Sequence, residues 1–367
     1  MTELGSIRCL PLSGATLPVR IRDASGTVIV EGMSGRNIDV PAGSYYIGTL
    51  LPDGEELLAS EPIEVVAGQV ADATLGEFEE SMTSLSASDA AMDTPMPVVR
   101  RWQGDWLSKW SERKPLEADD EQGFLKEAQT LDWERSVIIE REFGTDDLLV
   151  IEHEGQRSFH ILPLDECFGR GDLSGTRRSI SLCLKPSNNG VKLSFSSAIS
   201  PATNTFLEFV NQGLLSESRV ISTDLMVQED SGLRSPQSSL LRAVLGAYVL
   251  LRANQLEGLD RWIQQLIELA PEMPDAYALQ AEALARCGDH EGAVGALRRG
   301  LEKPCPWFRS GVSYSLERLR LYIDLHVEPK VGFNLSAEDI RKFKARKAQL
   351  ERAANHLDTN ALFATFK

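Results

Sequence analysis

Thiols and imidazoles are the side chains most readily turned to chemistry, and this chain holds few of either. Cys9, Cys167, Cys183, Cys287 and Cys305 are scattered with no Cys-x-x-Cys pair, and the histidines are His153, His160, His290, His326 and His356. A thiol-dependent enzyme needs its thiolate beside an imidazole base. The closest approach to that pattern is His153 and His160 on neighbouring strands ahead of Cys167, which defines an alternative, enzymatic reading centred on the middle of the chain. Metal ligation has less support. No two His, Cys or carboxylate ligands recur at zinc-like spacing, so no metal and no cofactor is expected. The loop Gly169-Arg170-Gly171-Asp172-Leu173-Ser174-Gly175 lacks both the Walker lysine and the Gly-x-Gly-x-x-Gly spacing, and no Gly-x-Ser-x-Gly elbow is present. The chemistry-bearing residues therefore favour binding over bond-making, and the chain is read as a non-enzyme.

Two features could bind. Trp102, Trp106 and Trp110 stand at i, i+4 and i+8, one face of a helix. Arg100, Arg101, Lys109, Arg113 and Lys114 outnumber Asp105 and Glu112 around them. Such a helix docks its indoles on its own domain, anchors a partner, or lies on an anionic membrane surface. Gly104 within it costs roughly 1 kcal/mol of helix stability relative to Ala, which points to a segment held by packing. The second feature lies in the last third, and needs the elements around it first.

Residues 1–76 read as a small all-β sandwich. Alternating runs at Val19–Arg22, Thr27–Val30, Ile38–Val40, Tyr45–Ile47 and Ile63–Val66 are separated by Gly- and Pro-rich turns. The order Asp-x-x-Gly, then Val-Pro-Ala-Gly-Ser-Tyr-Tyr-Ile, then an Asp-Gly turn, then Val-x-Ala-Gly-Gln resembles the prealbumin-like or carboxypeptidase-regulatory-like β-sandwiches, which implies an adhesive spacer. Residues 77–97, rich in Ser, Thr, Asp and Glu, bury too little to offset their ordering entropy and read as an acidic flexible linker. Residues 98–235 read as an α+β domain: a helix over Asp119–Leu131, strands at Leu148–Glu152, Ser158–Leu162, Ser179–Leu184 and Val191–Phe195, and a helix opened by Pro201.

Residues 236–330 are helical and repeat. Leu240–Met273 laid on Pro274–Trp307 at an offset of 34 residues puts Ala247 on Ala281, Leu250 on Leu284 and Asn254 on Gly288. Tyr277, Ala281, Leu284, Gly288-Asp289, Ala293, Leu297 and Gly300 resemble a tetratricopeptide repeat, with the small residues allowing close approach and the large ones filling between helices. Ser313–Leu325 reads as a cap on this stack, and Ser336-Ala337-Glu338-Asp339 opens a last charged helix within 331–367. The resemblance implies a groove on the first helices, presenting Val244, Tyr248, Arg252, Ala278, Glu282 and Arg286. Arg252 and Arg286 with Tyr248 suit an acidic or extended peptide. The family's carboxylate clamp needs Lys and Asn where Val244, Tyr248, Ala278 and Glu282 stand, so its usual chaperone-tail ligand does not fit. The stretch from Pro274 to Ala293 with Ser313–Tyr322 is also similar to helical modules found in bacterial gene clusters with caspase-like proteases.

Charge narrows the partner. The chain carries 54 acidic and 38 basic residues, a net charge of −16. That field repels nucleic-acid phosphate, leaving a protein or peptide as the expected ligand. No run of about 18 uncharged apolar residues spans a membrane, the first residues lack a secretory pattern, and unpaired cysteines suit a reducing compartment. The expectation is a cytoplasmic, multidomain bacterial adaptor or scaffold, with accessory service to a caspase-like protease as its most specific form.

Overall fold

The computed structural model describes residues 4–10, 16–59, 61–74, 96–103, 106–107, 129–130, 136–140, 147–166, 179–187, 190–228, 239–327 and 335–367. Nearly all of the acidic linker, most of the Asp119–Leu131 segment, Trp110, Cys167 and the Gly169–Gly175 loop lie outside them. The chain divides into two compact units, Met1–Ser88 with Pro201–Ser231, and Asp89–Ser200 with Gly232–Lys367.

The first unit is β-rich because its alternation is genuine. β1 (Leu4–Cys9), β4 (Asn37–Pro41) and β8 (Val70–Ala73) form one sheet in the order β4-β1-β8, with β1 antiparallel to β4 and parallel to β8. β2 (Pro18–Arg22), β3 (Val28–Met33), β5 (Gly43–Leu50) and β6 (Glu56–Leu58) form another in the order β3-β2-β5-β6, and β7 (Ile63–Val65) also pairs with β5. Every second side chain points inward, so Ile7, Cys9, Val19, Ile21, Ile38, Val40, Tyr45 and Ile47 share one core. Burial pushes the Cys9 thiol up to about 11, which fits a packing residue rather than a nucleophile.

Two helices, α1 (Pro201–Asn211) and α2 (Leu215–Gln228), belong to this unit and not to the α+β domain in which 98–235 places them. The cause is charge matching. On α2, Arg219 donates to Glu31 of β3 at 2.7 Å, Glu217 accepts from Arg20 of β2, and Asp224 pairs with Arg36 at 3.6 Å. Hydrophobic period says that such a helix exists but not which sheet it meets.

In the second unit, β9 (Val98–Gln103), β10 (Gln129–Thr130), β12 (Asp147–His153), β13 (Gln156–Ile161) and β16 (Thr365–Phe366) form a sheet in the order β10-β9-β12-β13-β16. β11 (Ser136–Glu140), β14 (Ser179–Ser187) and β15 (Gly190–Ser196) form a second, β11-β14-β15. The expected helix through the tryptophans is overturned at its start: Trp102 sits in β9 opposite Leu148, and the helical residues described nearby are 106–107. Val98-Val99 are β-branched and favour the strand that holds Trp102, so the step from Trp102 to Trp106 is not a helical one. Likewise Gln129–Thr130, expected to close a helix, form a strand beside β9.

The remaining helices follow in hairpins: α3 (Leu240–Arg252), α4 (Leu259–Leu269), α5 (Pro274–Arg286), α6 (His290–Gly300), α7 (Arg309–Val327) and α8 (Ala337–Ala354). α5 packs on α3, α4, α6 and α7, and α7 on α8. The 34-residue offset is visible in the backbone. Asn254 after α3 and Gly288 after α5 both take positive φ, 56° and 82°. In each case the next amide reaches back, Gln255 N–H to Leu250 O and Asp289 N–H to Leu284 O, both at 2.9 Å. Asp289 then caps α6 through Gly292 N–H at 2.9 Å, and Ser336 with Asp339 forms a capping box on α8. Gly300 lets α6 lie close on α5, since a Cβ there would meet Cβ of Tyr277 at 3.3 Å.

Candidate functional site

α3 is apolar on nearly every face, so the fold encloses it: Leu240, Leu241, Val244, Leu245, Tyr248 and Leu251 are all buried. α5 is likewise enclosed, although Asp275, Gln280 and Glu282 lie along it. A polar group placed there must find partners. The partners come from every neighbouring helix, and for the two carboxylates chiefly from α3, α7 and the turn before α7.

Tyr248 donates its hydroxyl to Asp275 Oδ1 at 2.7 Å. The same carboxylate accepts Phe308 N–H on Oδ1 at 3.2 Å and Trp307 N–H on Oδ2 at 2.7 Å. Asp275 has no exposed surface. Burial pushes its carboxyl up to about 6, and these donors limit the rise. Burial also raises the Tyr248 phenol well above its ordinary value, and the Asp275 charge adds to that. α7 approaches this bond through Gly311, where a Cβ would stand 2.8 Å from Asp275 Oδ1, 2.7 Å from Pro306 Cβ, and closer still to the Tyr248 hydroxyl. The Tyr248 ring meets Phe308 at 5.1 Å and stacks on Tyr314 at 6.3 Å.

Two turns further along α5, Glu282 Oε2 accepts from Arg318 Nε at 2.6 Å, and its Oε1 from Arg318 Nη2 at 3.0 Å and Arg286 Nε at 2.7 Å. Burial pushes the Glu282 carboxyl up, but these two guanidinium groups outweigh it and leave the group below its ordinary value. Arg286 also donates to Leu251 O at the end of α3, at 2.7 Å, and lies 5.8 Å over the Tyr314 ring.

The residues expected to line an open groove are thus brought together, but as an internal seam. Val244, Tyr248, Ala278 and Glu282 are buried, and α7 fills the hollow they were expected to border. Arg252 alone of that set projects freely at the end of α3, with Arg286 beside it and partly exposed. Trp102 and Trp106 are also corrected as partner anchors: they are 5% and 0% exposed, and Trp106 packs on Phe366 at 5.5 Å. Trp110 lies outside the described residues.

Of the enzymatic constellation, Cys167 lies outside the described residues, and the two histidines stand apart. In the β12–β13 hairpin His153 pairs with Gln156 and His160 with Leu149, placing the two imidazoles four strand positions apart, roughly 13 Å along the strand. Burial drives His160 down to about 3, so it is neutral, with Ser158 Oγ at 2.8 Å on Nε2 and Thr365 Oγ1 at 3.1 Å on Nδ1. Among the described residues no group of three or more His, Cys, Asp or Glu is placed to hold a metal ion. No helix among them is long and apolar enough to cross a membrane.

Sequence reasoning missed Asp165. Its buried carboxylate accepts Ser239 Oγ at 2.7 Å, Leu241 N–H at 3.1 Å and Glu166 N–H at 3.0 Å, and Ser197 Oγ as well. Burial raises its pKa. It closes the N-terminus of α3, where a carboxylate suits the helix dipole, and ties that helix to the end of β15. It also missed a shallow, solvent-open cleft among α5, α6, α7 and α8, lined by Tyr277, Leu297, Leu301, Leu319, Leu350 and Arg346. Arg346 donates there to the carbonyls of Lys303 and Pro304, both at 3.0 Å.

No curated protein and no solved structure matches this chain. Residues 205–360, from within α1 to just past α8, are similar to the family described as the Y4kD C-terminal domain.

Proposed function

We propose that this chain is a non-catalytic protein-interaction scaffold. Its helical third is a tetratricopeptide-like stack of three pairs, α3–α4, α5–α6 and α7–α8. The recognition face is the arginine-bearing surface where the C-terminal ends of α3 and α5 meet the middle of α7. Three features support the repeat reading: the 34-residue offset with matched helix ends, the order of helix contacts, and the small residues at the crossings. The observation that carries the binding reading is the charge on that surface. Arg252, Arg286 and Arg318 gather there among Glu282, Glu317 and Asp289, and Arg252 projects into solvent beyond those acids on a chain of net −16. Glu282 takes Nε and Nη2 of Arg318 and Nε of Arg286, and Leu251 O takes Arg286 Nη1, so the donors left for a ligand carboxylate are the Arg252 fork and the outer Nη of Arg286. The ligand is therefore an acidic, extended peptide. The similarity to helical modules beside caspase-like proteases makes such a protease the first partner to try.

A fluorescent Glu-rich peptide tests the reading by anisotropy against the intact chain and against Arg252→Glu. Arg252 has no structural duty in the seam, so its reversal leaves the fold alone. Affinity falls at least tenfold in the variant and falls with salt in the parent. Equal binding by the two proteins removes this face from the account.

A further inference from the structure

After α8 the chain doubles back as a short strap. Asp358 N–H donates to Thr365 O at 2.7 Å, Lys367 N–H to His356 O at 2.9 Å, and Lys367 Nζ pairs with Asp358 at 2.7 Å. The returning limb is β16, which lies on the edge of β13 with Phe366 opposite Phe159 and Thr365 opposite His160. Around it Ile161 N–H donates to Ala364 O at 2.9 Å, Ala364 N–H to Trp307 O at 2.8 Å, and Arg309 N–H to Leu362 O at 3.1 Å.

Four consecutive side chains of this limb, Phe363, Ala364, Thr365 and Phe366, are no more than 7% exposed. Phe363 meets Phe195 edge-on at 5.3 Å and Phe308 at 4.9 Å, and Phe366 meets Trp106 at 5.5 Å. β16 is thus a peptide in a trough. Main-chain bonds to a sheet edge hold it, two aromatic pegs three residues apart set its register, and small residues fill the gap. That is the chemistry of strand-addition recognition.

We infer that the trough between the β13 edge and Phe308 is a strand-addition site, occupied in cis by Phe363–Phe366, which takes a partner protein's extended aromatic–small–small–aromatic segment in exchange. The occupant itself defines the ligand. An incoming strand of this pattern remakes the main-chain bonds to β13 and Trp307 and fills the same two pockets. What the strap holds over a rival is its own hairpin bonds, the Lys367–Asp358 pair and effective concentration, millimolar for a short tether. The tether is short here, since Asn355 and His356, both exposed, directly follow α8. The site is separate from the arginine face, and its test does not depend on that reading.

The test uses a labelled peptide of the sequence Leu357–Lys367 and fluorescence anisotropy. The peptide is titrated into the full chain and into a full chain with about thirty Gly/Ser residues inserted between Asn355 and His356. The insertion parts the His356 and Leu357 amides from Ala353 O and Ala354 O at the end of α8, leaves the bonds to β13, Trp307 and Arg309 in place, and dilutes the strap locally, because closure weakens as roughly the −3/2 power of tether length. The peptide binds the inserted chain about tenfold or more tighter than the parent. The same peptide with Phe363→Ser and Phe366→Ser binds neither. Tryptophan emission confirms that the inserted chain is folded, and saturable binding to the parent at high peptide concentration sustains the inference by itself. Absence of saturable binding to both proteins, or equal binding of the serine peptide, overturns it. A strap-exchanged dimer of the inserted chain by light scattering, without peptide binding, gives the trough to a second copy and also overturns it.

Discussion

Gly311→Ala is the sharpest perturbation of the seam. The new Cβ would press on the Tyr248 hydroxyl, on Asp275 Oδ1 at 2.8 Å and on Pro306 Cβ at 2.7 Å. Overpacking of this kind costs about 1–3 kcal/mol. Displacing the Tyr248 hydroxyl removes a hydrogen bond to a buried carboxylate, about 1.5–3 kcal/mol more. Replacing a helical Gly by Ala returns up to ~1 kcal/mol. The net loss is roughly 2–5 kcal/mol. All six tryptophans, Trp102, Trp106, Trp110, Trp133, Trp262 and Trp307, belong to the second unit, so urea unfolding followed by tryptophan emission reports on that unit alone. Tyr248→Phe supplies the decisive control. It removes the displaced atom, so the hydrogen bond is lost only once in the double variant. The two substitutions then combine less than additively, with a coupling of about 1.5 kcal/mol or more. Additivity to within ~0.5 kcal/mol would refute the claim that α7 is seated on the Tyr248–Asp275 bond.

Three further outcomes follow from the same geometry. Asp275 has its folded pKa raised from 3.8 to about 6, so the folded state holds more protons between those values. Its contribution to stability therefore declines as pH rises through about 4–6, by up to ~3 kcal/mol, and the difference between the parent and Asp275→Asn in pH-dependent urea midpoints should show that slope. His160 works in the opposite sense: its pKa is lowered from 6.5 to about 3, so its contribution is present above 6.5 and lost as pH falls toward 3, and His160→Gln should flatten acid unfolding. Gly288→Ala, at φ 82° with open space around it, costs about 1–2 kcal/mol from backbone strain alone, whereas Asn254→Gly at the matching end of α3 is neutral or stabilising, both by thermal unfolding.

Local order was legible in the residues, and distant pairing was not. Ile7, Val19, Ile38 and Tyr45 alternate with polar neighbours, which is enough to set a half-buried strand. The 34-residue offset found Asn254 and Gly288, because a left-handed helix end needs Asn or Gly. The tryptophans misled because i, i+4, i+8 is a helical period only if the backbone is helical, and Val98–Gln103 pairs with β12 instead. Nothing local marks Asp275 as the acceptor for Trp307 and Phe308, or Asp165 as the acceptor for Ser197 and Ser239. Those groups meet only once the helices are stacked. The groove failed as an expectation for the same reason: Tyr248 of α3 and Glu282 of α5 do face the same side, but Gly311 and Arg318 bring α7 down onto them.

Cys287 is exposed and directly follows Arg286, so it can report on the arginine face from within the native fold. With Cys167 and Cys183 replaced by Ser and Cys9 and Cys305 buried, a benzophenone maleimide placed on Cys287 can be irradiated with the Glu-rich peptide bound. The account predicts a covalent adduct that disappears on Arg252→Glu and at high salt. An adduct indifferent to both, or none at all at saturating peptide, contradicts it.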